Sequence, residues 1–121
     1  MSDLRDFKES MKIRTKQFAH QCVKFAITLP NNQLGNHIRG QLIRSSTSVA
    51  ANYRASCLAQ TVPVIISKIS IAIEEIDESE FWLEFAQGEI IHQEFDVDTL
   101  KNEAHQLAST LIKSRQTLQK K

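Results

Sequence analysis

Four sets of residues in this chain have the types and spacing to do chemistry. Glu89 and His92 form a Glu-x-x-His. Di-iron bundles use two such motifs plus two further glutamates on facing helices. The second copy is absent here, so neither a metal nor another cofactor is expected. Arg14 and His20 pair a cation with an acid–base group, as RNA cleavage requires. Six residues of helix turn through about 240°, however, so the two do not share one face within a protomer. No catalytic residue is therefore assigned. Glu74, Glu75, Asp77, Glu78, Glu80 and Glu84 form an acidic cluster that points in nearly every direction around a helix, which suits a solvated or partner-facing surface. Arg5, Lys8, Lys12 and Lys16 step by 3, 4 and 4, which aligns them into one basic stripe. Its centre lies about 115° from the apolar side of the same helix, so the stripe faces solvent. Such a stripe binds phosphates by releasing counterions. With Arg39 it makes the candidate nucleic-acid-binding set; Arg44 and Arg54 add further cations nearby. A merely solvated face is the alternative. No aromatic residue interleaves with the stripe, so base stacking is not indicated. There is no Gly-rich phosphate loop, Cys-x-x-Cys pair or nucleophile elbow.

The elements that must position these groups are predicted to be four helices. Phe7, Met11, Phe18, Cys22, Phe25 and Leu29 give an apolar seam over about 4–29, with one position skipped at Arg14 or Thr15. Pro30-Asn31-Asn32 stops it. A second helix over about 33–60 has the seam Ile38, Leu42, Ser45, Val49, Asn52 and Ser56, half of it polar and small. The third, over about 62–88, opens with Thr61 as N-cap and Pro63 in the first turn. Its seam reads Val62, Ile66, Ile69, Ile73, Ile76, Glu80 and Leu83, with Gly88 near its end. Glu80 is thus a carboxylate at a seam position, and Arg44, with Ser45 or Asn52, is its expected partner. The fourth, over about 97–119, starts at Asp96 or Asp98 and continues through Leu100, Ala104, Leu107, Leu111, Ser114 and Leu118. Four long helices with short connections make an all-α, antiparallel up-down four-helix bundle, one domain over 1–121.

Composition sets the bounds. The 121 residues are 41% apolar and 24% charged, which is ordinary for a globular chain. Only 3 Gly and 2 Pro argue against a turn-rich β sandwich or barrel. No apolar run reaches the ~20 residues that span a bilayer, and charges occupy the start of the chain, where a signal peptide needs an apolar region. Two cysteines are too few for a disulfide scaffold, so a reduced, cytoplasmic protein is expected. Net charge is +1, yet residues 1–70 carry 10 Lys/Arg against 3 Asp/Glu, and residues 71–121 carry 5 against 11. Such asymmetry between the two halves suits a nucleic-acid surface, a self-association surface or merely solvated faces.

The stretch QLIRSSTSVAANYRASC, then SKISIAIEEIDESEFWLE, together with RTKQFA near the start and Leu29-Pro30, resembles a small family of bacterial four-helix bundles. These are the proteins encoded within intervening sequences of 23S ribosomal RNA genes. The resemblance rests on Arg44-Ser45, Ser48, Ala51-Asn52-Tyr53-Arg54 and Cys57, followed by Glu74-Glu75, Glu78 and Phe81-Trp82-Leu83-Glu84. It implies a bundle without known catalytic activity that assembles as a pentamer. A similar protein, the accessory variability determinant of diversity-generating retroelements, binds nucleic acid and a reverse transcriptase through a basic surface. The chain departs from the pattern at Leu58, where a basic residue is common, and at Val64-Ile65-Ile66.

Three functions are therefore expected, in this order. The first is a non-enzymatic homo-oligomer that binds RNA or a nucleoprotein. The second is a protein-assembly module in which Arg44, Ser48, Asn52, Arg54, Glu75, Glu78 and Glu80 serve oligomer or buried polar contacts. The third is a ribonuclease built on Arg14 and His20, whose spacing is similar to that in some small helical ribonucleases of the HEPN group.

Overall fold

The computed structural model of the chain describes residues 3–90 and 95–121. Its elements are α1 (Asp3–Ala26), α2 (Gln33–Leu58), α3 (Val62–Glu89) and α4 (Val97–Gln119), with no strand among the described residues. Each helix packs on the next, and α4 returns to touch α1. The fold is the all-α bundle that the spacing predicts, with α1 and α3 at opposite corners and α2 and α4 between them.

Local chemistry fixes the helix ends. Thr28 Oγ1 donates to the Phe25 carbonyl at 2.6 Å where α1 closes, before Pro30. Asn32 caps α2 by accepting from Gly35 N at 2.8 Å. Gly35 is required here by a close approach: a Cβ at this position would lie 1.9 Å from the Pro30 carbonyl oxygen. Thr61 caps α3, with Pro63 in the first turn. Asp96, one of the two expected residues, caps α4 by accepting from Thr99 N at 3.0 Å. The hydrogen bonds from Thr99 hold the Asp96 carboxyl below its ordinary pKa.

One apolar core runs the length of the bundle. Phe18 and Phe25 of α1, Ile38 and Leu42 of α2, Ile76 and Leu83 of α3, and Leu107 and Leu111 of α4 are fully buried in it. Each such side chain contributes roughly 1.5–3 kcal/mol relative to exposure. The position skipped in the α1 seam is Thr15, fully buried, whose Oγ1 donates to the Met11 carbonyl at 2.8 Å. That bond satisfies a hydroxyl which would otherwise be costly in the core. Burial pushes the Cys22 thiol up to about 12, although a hydrogen bond with Ser46 acts in the opposite direction.

Two seam assignments need correction. Phe7 is 38% exposed rather than core, because α1 begins at Asp3 and its first turns lie beyond most of the bundle's buried layers. On α3 the buried stripe is Ile69, Ala72, Ile76, Ser79, Leu83 and Ala86. Val62 is exposed, and Ile66, Ile73 and Glu80 lie on its flank, half-buried. Isoleucine surrounds the first half of α3, so size does not mark the inward face there. The small residues Ala72 and Ser79 mark it instead, by letting α2 approach.

Candidate nucleic-acid interface

The basic stripe of α1 is an exposed edge bordering α2. Lys8 and Lys12 are half-buried, and Arg5 and Lys16 are exposed. Lys12 pairs with Glu9 at 2.6 Å, one helical turn back, which offsets part of the stripe's charge. Lys8 and Lys16 make no ion pair among the described residues.

The register of α1 against α2 brings a further cation to this edge. Arg39 reaches the Ala26 carbonyl, and Cys22 faces Ser46. The helices run antiparallel, so Arg54 comes level with Met11 to Arg14, the level of Lys12. Arg54 is exposed and has no ion-pair partner among the described residues. The edge therefore presents Lys8, Lys16 and Arg54 to solvent, alongside the Lys12–Glu9 pair and Arg5. Spacing alone did not join Arg54 to the stripe, because it specifies a face of one helix and not the level of its neighbour.

Arg39 sits at the far end and is committed to structure. Its Nε donates to the Ala26 carbonyl at 3.2 Å, Nη2 to the carbonyls of Leu29 at 2.5 Å and Pro30 at 3.2 Å, and Nη1 to Asn36 Oδ1 at 2.6 Å. A guanidinium has five N–H donors, so one is left. Arg39 thereby caps the C-terminus of α1, where orphan carbonyls and the negative dipole end attract a cation.

The polar residues of α2 and α3 are brought together inside the chain. Arg44 holds Glu75 Oε2 at 2.9 Å through Nη1 and bonds Glu78 through Nη2. The two carboxylates raise the Arg44 pKa, and Arg44 in turn holds the Glu78 carboxyl below its ordinary value. Glu78 also accepts from Trp82 Nε1 at 3.3 Å. Behind this network, buried Ser45 and Ser79 share a hydroxyl hydrogen bond of 2.8 Å. Asn52 Nδ2 donates to Ser48 Oγ at 2.9 Å along α2. Glu80 does not meet Arg44, Ser45 or Asn52. It lies on the α4 flank of α3, where its Oε2 is 2.5 Å from His105 Nε2.

Arg14 and His20 are not brought together. Arg14 clamps α4, donating from Nε and Nη2 to the two carboxylate oxygens of Glu103 at 2.8 and 2.9 Å and to Gln106 Oε1 at 3.0 Å. That bidentate hydrogen bonding raises its pKa. His20 is exposed on the rim of a groove of about 970 Å³ between α1 and α4, with Phe18 and Leu100 lining it. Of the Glu-x-x-His pair, Glu89 is the last residue of α3 and His92 lies outside the described residues. Among the described residues no group of three or more His, Cys, Asp or Glu converges on a metal position. No helix among them is long and apolar enough to cross a membrane.

The comparisons agree with this architecture. No curated protein matches the chain. A protein of unknown function from the S23 ribosomal protein family of Bacteroides thetaiotaomicron superposes with a TM-score of 0.80 at 30% identity, over 90% of this chain and 97% of that one. No enzyme family is indicated by either this neighbour or the family match. That match spans residues 9–113, from the basic stripe through the Arg44–Glu75–Glu78 network to α4, and by it the chain belongs to the family of 23S rRNA-intervening sequence proteins.

Proposed function

We propose that this chain is a non-enzymatic, cytoplasmic adaptor that binds structured RNA through the α1 edge and acts as a homo-oligomer. A single observation carries the nucleic-acid part. Lys8 and Lys16 of α1 and Arg54 of α2 lie along one edge and are not neutralised by carboxylates among the described residues. Cations left uncommitted on a rigid scaffold meet phosphates at helical spacing and gain from counterion release. The absence of interleaved aromatics suits a duplex or a folded RNA better than a stacked single strand. A pentameric ring, which the family resemblance implies, would repeat this edge around an axis and add avidity. The ribonuclease alternative is disfavoured by Arg14, whose guanidinium is engaged by Glu103. RNA cleavage that His20→Ala abolishes would restore it.

Filter binding of a structured RNA at several salt concentrations tests the proposal. Affinity should fall with a slope of about −3 in log–log form if three to four phosphates are contacted. No affinity at low salt, or affinity indifferent to salt, refutes it.

A second function, assembly without nucleic acid, is favoured by the apolar end where α2 gives way to α3. Leu58 is 77% exposed there, and Val62 and Val64 are also exposed. Light scattering of Leu58→Lys against the unaltered chain reads this directly. A smaller oligomer assigns the end to self-association, and an unchanged mass removes it.

A further inference from the structure

The outer face of α3 carries an exposed aromatic group set among carboxylates, and nothing described so far uses it. Glu74, Asp77, Phe81 and Glu84 follow one another by 3, 4 and 3 residues, and Phe85 follows Phe81 by 4, which places the five on one face. All five are exposed, Phe81 at 51% and Phe85 at 39%. The rings are organised. Phe81 stacks on Phe85 with centroids 5.9 Å apart, and Phe81 meets Trp82 edge-on at 4.9 Å. Trp82 in turn meets the ring of His37 of α2 at 5.3 Å, and its indole N–H is held by Glu78. The patch is therefore preorganised by the Arg44–Glu78 network. Glu74, Asp77 and Glu84 make no ion pair among the described residues, in contrast to Glu75, Glu78 and Glu80 on the flanks of the same helix.

We propose that the outer face of α3 is a docking surface for a Lys/Arg-rich, apolar-anchored segment of a second protein. Its aromatic rings receive the apolar side chains and its carboxylates receive the cations. Charge complementarity selects this occupant. Three unpaired carboxylates repel the phosphates of RNA, whereas they attract lysine and arginine, which the faces of Phe and Trp rings also bind. Clustered exposed aromatics beyond what a soluble surface needs mark interaction sites, and aromatic residues dominate the energetics of such sites. Because α3 is diagonal to α1, a protein held here leaves the basic edge open. The proposal rests on the adaptor function and supplies its protein arm: RNA on one corner, a basic protein segment on the other.

Trp82 is the only tryptophan of the chain, so its emission reports the patch directly. The probe is a synthetic helical peptide of lysine and leucine at three-to-four spacing, titrated into the intact protein. A second peptide with serine in place of leucine is the control. The expected result is a saturable change in Trp82 emission, weakened at least tenfold with the serine peptide and at least tenfold by Phe81→Ser with Phe85→Ser. Glu74→Lys with Asp77→Lys should weaken it similarly. These side chains are exposed, so circular dichroism should show every variant folded with an unchanged melting temperature. An unchanged emission, or equal peptide affinity in the double serine variant, overturns the proposal. So does quenching of Trp82 by RNA alone. An emission that varies with protein concentration before any peptide is added assigns the patch to a second copy and also overturns it. RNA retention on filters is measured in parallel, so loss of the protein arm is distinguishable from loss of the RNA arm.

Discussion

The α1 and α3 corners of the bundle both lean on α2, but they are tied to it by different means. α1 is joined by a steric lock and a cap: the Pro30 carbonyl sits where a Cβ of residue 35 would be, and Arg39 collects the carbonyls of Ala26, Leu29 and Pro30. None of these groups belongs to the basic stripe. α3 is joined by its own charges, Glu75 and Glu78 to Arg44, over a buried Ser45–Ser79 hydrogen bond. The difference teaches where charge is available. On α1, backbone geometry near the turn does much of the holding, and Lys8 and Lys16 are left over. On α3 the inward-flank carboxylates are structural, and only the outward Glu74, Asp77 and Glu84 remain.

Four substitutions test this contrast, from the largest effect to the smallest. Gly35→Ala attacks the α1 lock. Its methyl group meets backbone that has little room to yield, so a loss of about 1–3 kcal/mol is expected in urea unfolding. A loss below a few tenths would show that the turn relaxes freely. Arg39→Ala removes the cap while leaving part of the carbonyls to water, and should cost about 1–2 kcal/mol. It should leave RNA affinity much closer to normal than Lys16→Glu does. A larger loss of binding than of stability would instead make Arg39 part of the interface. Arg44→Ala breaks the α3 tie. With Arg44 half exposed, solvent screening limits the cost to about 0.5–1 kcal/mol. A cost above that of Gly35→Ala would reverse the ranking of the two ties.

The smallest effect is on pH dependence. The Arg44 hydrogen bond lowers the Glu78 pKa below its ordinary 4.5. A carboxylate lowered in the folded state contributes stability that is complete above that unfolded value. The contribution is lost as pH falls through the lowered folded value. Melting temperature measured between pH 7 and pH 3 should therefore fall less steeply in Glu78→Gln than in the unaltered chain. Parallel curves would show that the Arg44 pair adds nothing.

Much of this architecture was legible in the amino-acid order, and the exceptions have physical causes. The apolar period gave all four helices, and Asn32, Thr61 and Asp96 each cap the helix that follows them. The buried faces of α2 and α4 follow their seams closely, with Ser45 and Ser56 buried beside Ile38, Leu42 and Val49 on α2, and Leu100, Ala104, Leu107 and Leu111 buried on α4. On α3 the periodicity predicts a face rotated from the buried one, because Ile66, Ile69, Ile73 and Ile76 are alike in chemistry while only Ile69 and Ile76 are buried. Partners between helices were least legible. Glu80 with His105, Arg14 with Glu103 and Arg54 beside the stripe all depend on how far one helix slides along another. Periodicity within a helix carries no information about that slide. The aromatic patch was visible as residues but not as a surface, since Phe81 and Phe85 look like core until the inward face of α3 is known.

The most direct measurement is RNA retention on filters at low salt by two charge-reversed proteins side by side. One carries Lys8→Glu, Lys16→Glu and Arg54→Glu, and the other carries Glu74→Lys, Asp77→Lys and Glu84→Lys. The two-corner account predicts that the first loses affinity by at least tenfold and flattens the salt dependence, while the second binds at least as well as the unaltered chain. Equal losses in both, or undiminished binding by the first, would contradict it.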